Sequence, residues 1–359
     1  MTKPILTAVA WALLLGGAAS THAQQPGRPP AAAAPDGAGG ALAGRAVLAA
    51  TGEPLAFSVV ALLYVEGGSL VRSALTAADG SFGFDSLAPG EYRVRLERVG
   101  FAPELQAAVR VLAGRTESTV LRSTPRRLAL PATDVPDTAC HAAADMLRLP
   151  ALAALWREAA TAAEARRLFN RRYTFTLVLR DLSWQVLGER RVRAAVGETP
   201  ETHTASDATV EELRASSDQP VWGSVGPGGF RLIVPDLPEL FGTGFLATHC
   251  VVGSLNPHGE SRLAFRPRDT WTTPGVLRVA PTIVLDSAWT VARVELKFLL
   301  DGRTFIRGAQ QYGDAAFPGG QLRFPLRLDL EEVPRLAGRP HWVGRTRFDN
   351  YQVAPDTTR

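Results

Sequence analysis

The chain has few lysines, few cysteines and only one long apolar run, and each shortage narrows what it can be. Lys3 and Lys297 are the only lysines, so 37 of the 39 basic side chains are arginine. A net charge of +4 spread over 359 residues gives no concentrated basic face of the kind that holds nucleic acid. The arginine pairs at 126–127, 166–167, 171–172 and 190–191 read as solvated strand and helix faces. A single apolar stretch, Ile5–Ala19, excludes a multi-span membrane protein. With 46% hydrophobic residues and a mean hydropathy of +0.01, the chain has enough apolar surface to bury a core and is not disordered.

Catalytic motifs are absent as well. Trp222-Gly223-Ser224-Val225-Gly226 comes nearest to a serine-hydrolase elbow, but its serine stands one residue early. Gly226-Pro227-Gly228-Gly229 has no following Lys-Ser or Lys-Thr and reads as a surface turn, not a phosphate cradle. Rossmann spacing is missing. The pairs Asp236/Glu239 and Glu331/Glu332 have the residue types a glycosidase needs, yet loop carboxylates near prolines read first as solvated groups. The expectation is no enzyme, no catalytic residue and no cofactor.

What is present begins at the N-terminus. Lys3, the run Ile5–Ala19 and the small residues around Ala23 read as a secretory signal over residues 1–23. No cysteine lies near the cleavage site, so no lipid anchor is expected there. The predicted location is the periplasm, the outer membrane or the exterior. In such a compartment Cys140 and Cys250 are expected to pair. The rival use is a metal site of His249, Cys250, His258 and Glu260 in what reads as a polar loop, although their spacing matches no compact zinc signature.

Residues 24–40 are rich in Pro, Ala and Gly and read as a flexible linker. Over 41–123 short strands are predicted at Val59–Val65, Ser81–Asp85, Tyr92–Leu96 and Ala107–Leu112, separated by turn signals such as Asp79-Gly80. Phe82 and Phe84, then Tyr92, Val94 and Leu96, alternate with polar neighbours, so each strand has one buried face. The strings TGEPLAFSVVAL, TAADGSFGFDSLAPGEYRVRLERVGF and VRVLAG resemble the carboxypeptidase regulatory-like domain. That resemblance implies a transthyretin-like sandwich of seven strands serving as an accessory module, related in fold to carbohydrate-binding modules. It implies no active site here, because none of the six histidines begins a His-x-x-Glu pair.

Residues 124–138 read as a connector, and 139–353 as an α+β domain with a long helix and a curved antiparallel sheet. Leu152, Leu155, Trp156, Ala159 and Ala163 recur at helical spacing between Cys140 and Asn170, with Pro150 dividing the helix. Two strands are expected at 173–180 and 182–196, a polar stretch with a Thr209/Glu212 capping box over 197–220, and seven strands between 230 and 353. VPDLPELFGTGFLATHC and LAFRP resemble the C-terminal part of uncharacterised bacterial envelope proteins. IVLDSAWTVARVELKF and GGQLRFPLRLDL resemble the sheets of periplasmic lipoprotein carriers.

The mainly β chain is therefore expected to be a non-catalytic exported protein that binds or scaffolds an envelope protein or outer-membrane component. The alternative is a carbohydrate or lipid carrier using the C-terminal sheet, with Trp222 and Trp271 stacking on ligand. A metal-dependent hydrolase using His249, His258 and Glu260 is the third reading.

Overall fold

Asp79-Gly80 shows how local sequence sets the first unit. Gly80 takes a φ of 80°, which a side chain disfavours, and the Asp79 carboxylate accepts from the Ser81 N–H at 2.9 Å. The turn delivers the chain into a strand whose alternation is as expected: Phe82 and Phe84 are buried, Gly83 and Asp85 exposed.

The computed structural model describes residues 39–126, 135–136, 139–188, 190–203, 222–226, 229–256, 259–268, 275–334 and 339–354. The predicted signal, nearly all of the linker, the Thr209/Glu212 cap, His258 and Trp271 lie outside them. The described residues form two compact units: 39–96 with Pro103–Ser123, and those from Thr124 onward with the segment Glu97–Ala102.

In the N-terminal part, β1 (Gly40–Leu48), β4 (Ser81–Leu87) and β8 (Thr116–Ser123) form one sheet, with β1 central. A second sheet holds β2 (Val59–Tyr64), β3 (Leu70–Leu75), β5 (Gly90–Glu97), β6 (Glu104–Leu105) and β7 (Val109–Val111). Leu42, Val60, Leu62, Phe84, Val94 and Leu121 fill the core. Seven strands were expected and eight are found, because both β6 and β7 pair with β5.

The larger unit is one antiparallel sheet with helices on it. Its strands are β9 (Val135–Pro136), β10 (Phe175–Leu187), β11 (Arg190–His203), β14 (His249–Leu255), β15 (Ser261–Pro267), β16 (Arg278–Val279), β17 (Thr282–Leu285), β18 (Val291–Leu300), β19 (Arg303–Phe317), β20 (Gly320–Glu332) and β21 (His341–Val353). Their order is β11-β10-β21-β20-β19-β18-β17-β15-β14-β9, with β16 also paired to β18. A separate hairpin, β12 (Gly223–Gly226) with β13 (Gly229–Leu232), lays Phe230 edge-on against Phe305 and Trp342.

The sheet has one apolar and one charged face. On β18, Val294, Leu296 and Phe298 are buried while Lys297 is exposed. The charged face interleaves signs: Arg262 and Arg293 flank Glu295, and Arg327 and Arg345 flank Asp329. Such exposed pairs hold the face in solvent more than they stabilise the fold. On the apolar face lies α1 (Pro150–Arg172), which Pro150 opens and divides from the short 3-10 turn Ala143–Arg148. Its Phe169 ring sits 4.7 Å from that of Phe317 and edge-on to Phe324 at 5.4 Å, a favoured aromatic geometry.

Three expectations need correction. The hairpin after α1 turns at Gly188, φ 60°, not near residue 181, so β10 is one strand of 13 residues. Residues 197–203 extend β11 instead of opening a polar stretch. The region of His249 and Cys250, read as a polar loop, is strand β14, preceded by the short helix α2 (Thr243–Thr248).

Gly308 lies where the backbone of β20 leaves no room for a side chain on β19. A Cβ there would lie 1.9 Å from the Asp329 carbonyl oxygen. Gly308→Ala is expected to destabilise the protein by about 2 kcal/mol through overpacking. Thermal denaturation reads this as a Tm lower by several degrees, and an unchanged Tm would refute the close approach.

Candidate functional site

Two polar arrangements stand out in the larger unit. The first surrounds the end of α2. Cys140 and Cys250 are disulfide-bonded, with Cα atoms 5.3 Å apart and a sequence separation of 110. Backbone hydrogen bonds run both ways between His141 and Val251 beside the bond. Next to Cys250, the His249 ring is buried and stacks flat on Phe245 with centroids 3.9 Å apart. Its Nδ1 lies 2.9 Å from the Phe245 carbonyl oxygen and its Nε2 2.9 Å from that of Val279. The Thr248 hydroxyl stands 3.0 Å from both Nδ1 and the Phe245 oxygen, so a neutral ring and this hydroxyl satisfy both carbonyls.

His249, Trp222, Thr248, Pro267, Arg268 and Arg278 line a cleft here. It is a shallow cleft with an enclosed volume of about 20 Å³, room for about one water molecule and far below the size of a small-molecule site. Trp222 is only 4% exposed and meets Phe245 edge-on at 5.6 Å. It packs as a core residue, and its ring face is not the exposed platform that stacking on a sugar requires.

Burial lowers the His249 pKa, against the raising effect of its backbone hydrogen bonds to Val279 and Phe245. The folded state therefore favours the neutral ring, whereas an unfolded histidine titrates near 6.5. The resulting contribution is complete above that value and is lost as pH falls through it toward the folded pKa. His249→Gln is expected to flatten the fall in stability between pH 7 and pH 5, measured by urea denaturation. Equal slopes for the two proteins would contradict the neutral buried ring.

The metal reading finds its other groups occupied. Cys250 is in the disulfide, and Glu260 makes a two-pronged ion pair with Arg293 and a further contact with Arg262 at 3.5 Å. The Glu260 carboxyl is held below its usual range, first by the hydrogen bond from Arg293. Among the described residues no group of three or more His, Cys, Asp or Glu is placed to hold a metal ion.

The second arrangement was not foreseen. Arg166 is 5% exposed, on the buried face of α1, so the reading of Arg166–Arg167 as a solvated pair fails for its first member. Its guanidinium lies 3.4 Å above the Phe324 ring, pairs with Asp236 Oδ2 at 3.1 Å, and donates to Asn170 Oδ1 at 3.2 Å. The other Asp236 oxygen accepts from the Tyr312 hydroxyl at 2.7 Å. Burial, then the neighbouring Asp236 charge, pushes the Tyr312 pKa well above its ordinary value. Asp236 also caps the 3-10 turn Leu237–Phe241 in a capping box with Glu239. The first paired-carboxylate candidate is thus a structural joint.

The second pair is divided by its strand. Glu331 meets Arg307 and His341, whereas Glu332 accepts from the Trp342 N–H at 3.0 Å. The signal for Arg166 lay in the helical spacing, since 159, 163, 166 and 170 fall on one stripe.

The alternating strands and fixed turns of the N-terminal unit have a counterpart among known families. Residues 41–123 match the carboxypeptidase regulatory-like domain. The match covers the sandwich and, of the larger unit, only the segment Glu97–Ala102. No curated protein matches the chain. Among solved structures, the minor pilin of Streptococcus agalactiae is 17% identical with a TM-score of 0.22, over 27% of this chain and 49% of its own. The chain thus spans about half the length of that pilin. A DUF3823 family protein from Bacteroides ovatus is 10% identical, TM-score 0.20, over 63% and 90% of the two chains. A candidate carbohydrate-binding protein from Bacteroides uniformis is 9% identical, TM-score 0.22, over 70% and 100%. No helix among the described residues is long and apolar enough to cross a membrane.

Proposed function

We propose that this is a non-catalytic exported protein of the bacterial envelope that binds or scaffolds another envelope protein, with the sandwich as an accessory module. The match of residues 41–123 to the regulatory-like domain carries the reading. It is supported by the employment of the candidate acids: Asp236, Glu239, Glu260 and Glu332 each have a structural partner. The apolar sheet face, where a lipid or glycan cradle was envisaged, is packed by Phe169 of α1 and Phe230 of the β12–β13 hairpin. That packing favours protein binding over carriage.

Crosslinking in the native envelope, followed by mass spectrometry, tests the proposal. The expected result is one envelope protein joined reproducibly at defined residues. Crosslinks scattered at background level over abundant proteins would overturn it.

A further inference from the structure

The large sheet ends at β11, and among the described residues no strand pairs with its outer side. At 14 residues this free edge is about 45 Å long. Folded proteins usually blunt such an edge by shortness, charge, proline, a bulge or a covering segment. Here the devices sit toward the ends: a register shift opposite Gln185/Val186, Pro200, and charged residues at 190, 191, 193, 198 and 201. The middle, Ala194-Ala195-Val196-Gly197, is small and uncharged and carries none. Every residue from 194 to 200 is exposed, so both faces of the strand stand clear, and Val196 is 82% exposed.

The sequence of this edge is antisymmetric in charge. Arginine occupies 190, 191 and 193, and glutamate occupies 198 and 201. A second β11 laid parallel and in register would set like charge on like, which is unfavourable. Laid antiparallel about Val196, it sets position 191 opposite 201 and position 193 opposite 199, with Val196 facing its own copy. Opposite charges then meet at both ends of a central small apolar stretch. The arrangement is two-fold symmetric and closed, so it ends at two chains.

We infer that β11 is a docking edge for a second copy of this chain, joining two large sheets through antiparallel β11–β11 pairing. The inference stands on the edge itself and does not depend on the scaffold proposal above.

Sedimentation equilibrium of the full mature chain tests it. The protein is expected to dimerise. Val196→Arg places two like charges at the two-fold axis, at a site exposed enough to tolerate the change, and is expected to give monomer. Arg191→Glu and Glu201→Arg should each weaken the dimer about tenfold, since each turns two attractive cross-strand pairs repulsive. The two together should restore it. Dimer loss in either single variant with recovery in the double would establish the register even if Val196→Arg misfolds. A chain that stays monomeric at all concentrations would overturn the proposal, as would a dimer indifferent to both charge reversals.

Discussion

Asp236→Ala is expected to destabilise the protein by about 3–5 kcal/mol, because it leaves the Arg166 guanidinium buried without its counter-charge. The side chain of Arg166 is 7% exposed and that of Asp236 28%, so water reaches the acid more readily than the base. The loss should therefore fall toward the lower end of the range. It includes the Tyr312 hydroxyl, whose 2.7 Å bond to the Asp236 carboxylate disappears and leaves the 3.0 Å bond to the neutral Gln310 Oε1 in its place. Arg166→Met keeps most of the apolar stem and should cost less, although the stacking on Phe324 goes. Placed in the Arg166→Met background, Asp236→Ala should cost much less than it does alone. Urea denaturation of the four proteins gives the coupling directly. Additive losses, or an Asp236→Ala effect below about 1 kcal/mol, would show that the pair is not the joint between α1 and the 3-10 turn.

Breaking the disulfide should cost as much. Cys140 and Cys250 close a loop of 110 residues, and the chain-entropy account gives about 4–5 kcal/mol for one of that length. Cys140→Ser is expected to show this loss in denaturation, with Cys250→Ser matching it. The oxidised protein should expose no reactive thiol when unfolded without reductant. Free thiols in that assay, or serine variants as stable as the parent, would contradict the structural role of the bond.

The sandwich was legible in the sequence because its strands are half buried. Alternation at Phe82 and Phe84, and at Tyr92, Val94 and Leu96, fixes which face turns inward, and Asp79-Gly80 fixes a turn. The helix was legible through its apolar spacing and Pro150. Elsewhere the local signals were weaker than the tertiary ones. β14 was missed because His249 and Cys250 resemble a polar loop locally; only the neighbouring strand β15, α2 and the bond to Cys140 make that segment a buried strand.

Arg166 was misjudged for a related reason. Its one partner on the helix is the neutral Asn170, while its counter-charge Asp236 and its ring partner Phe324 are 70 and more residues away in sequence. The candidate acids read in the sequence as solvated loop groups. Their roles as cap, ion pair and backbone acceptor depend on contacts that spacing does not encode.

The central claim is that the chain works by holding a protein partner and not by turning over a small molecule. Native mass spectrometry of the protein purified gently from its own envelope tests this most directly. The account predicts a stoichiometric complex with another envelope protein and no retained small molecule. A chain released with one equivalent of lipid or glycan and no protein partner would contradict it.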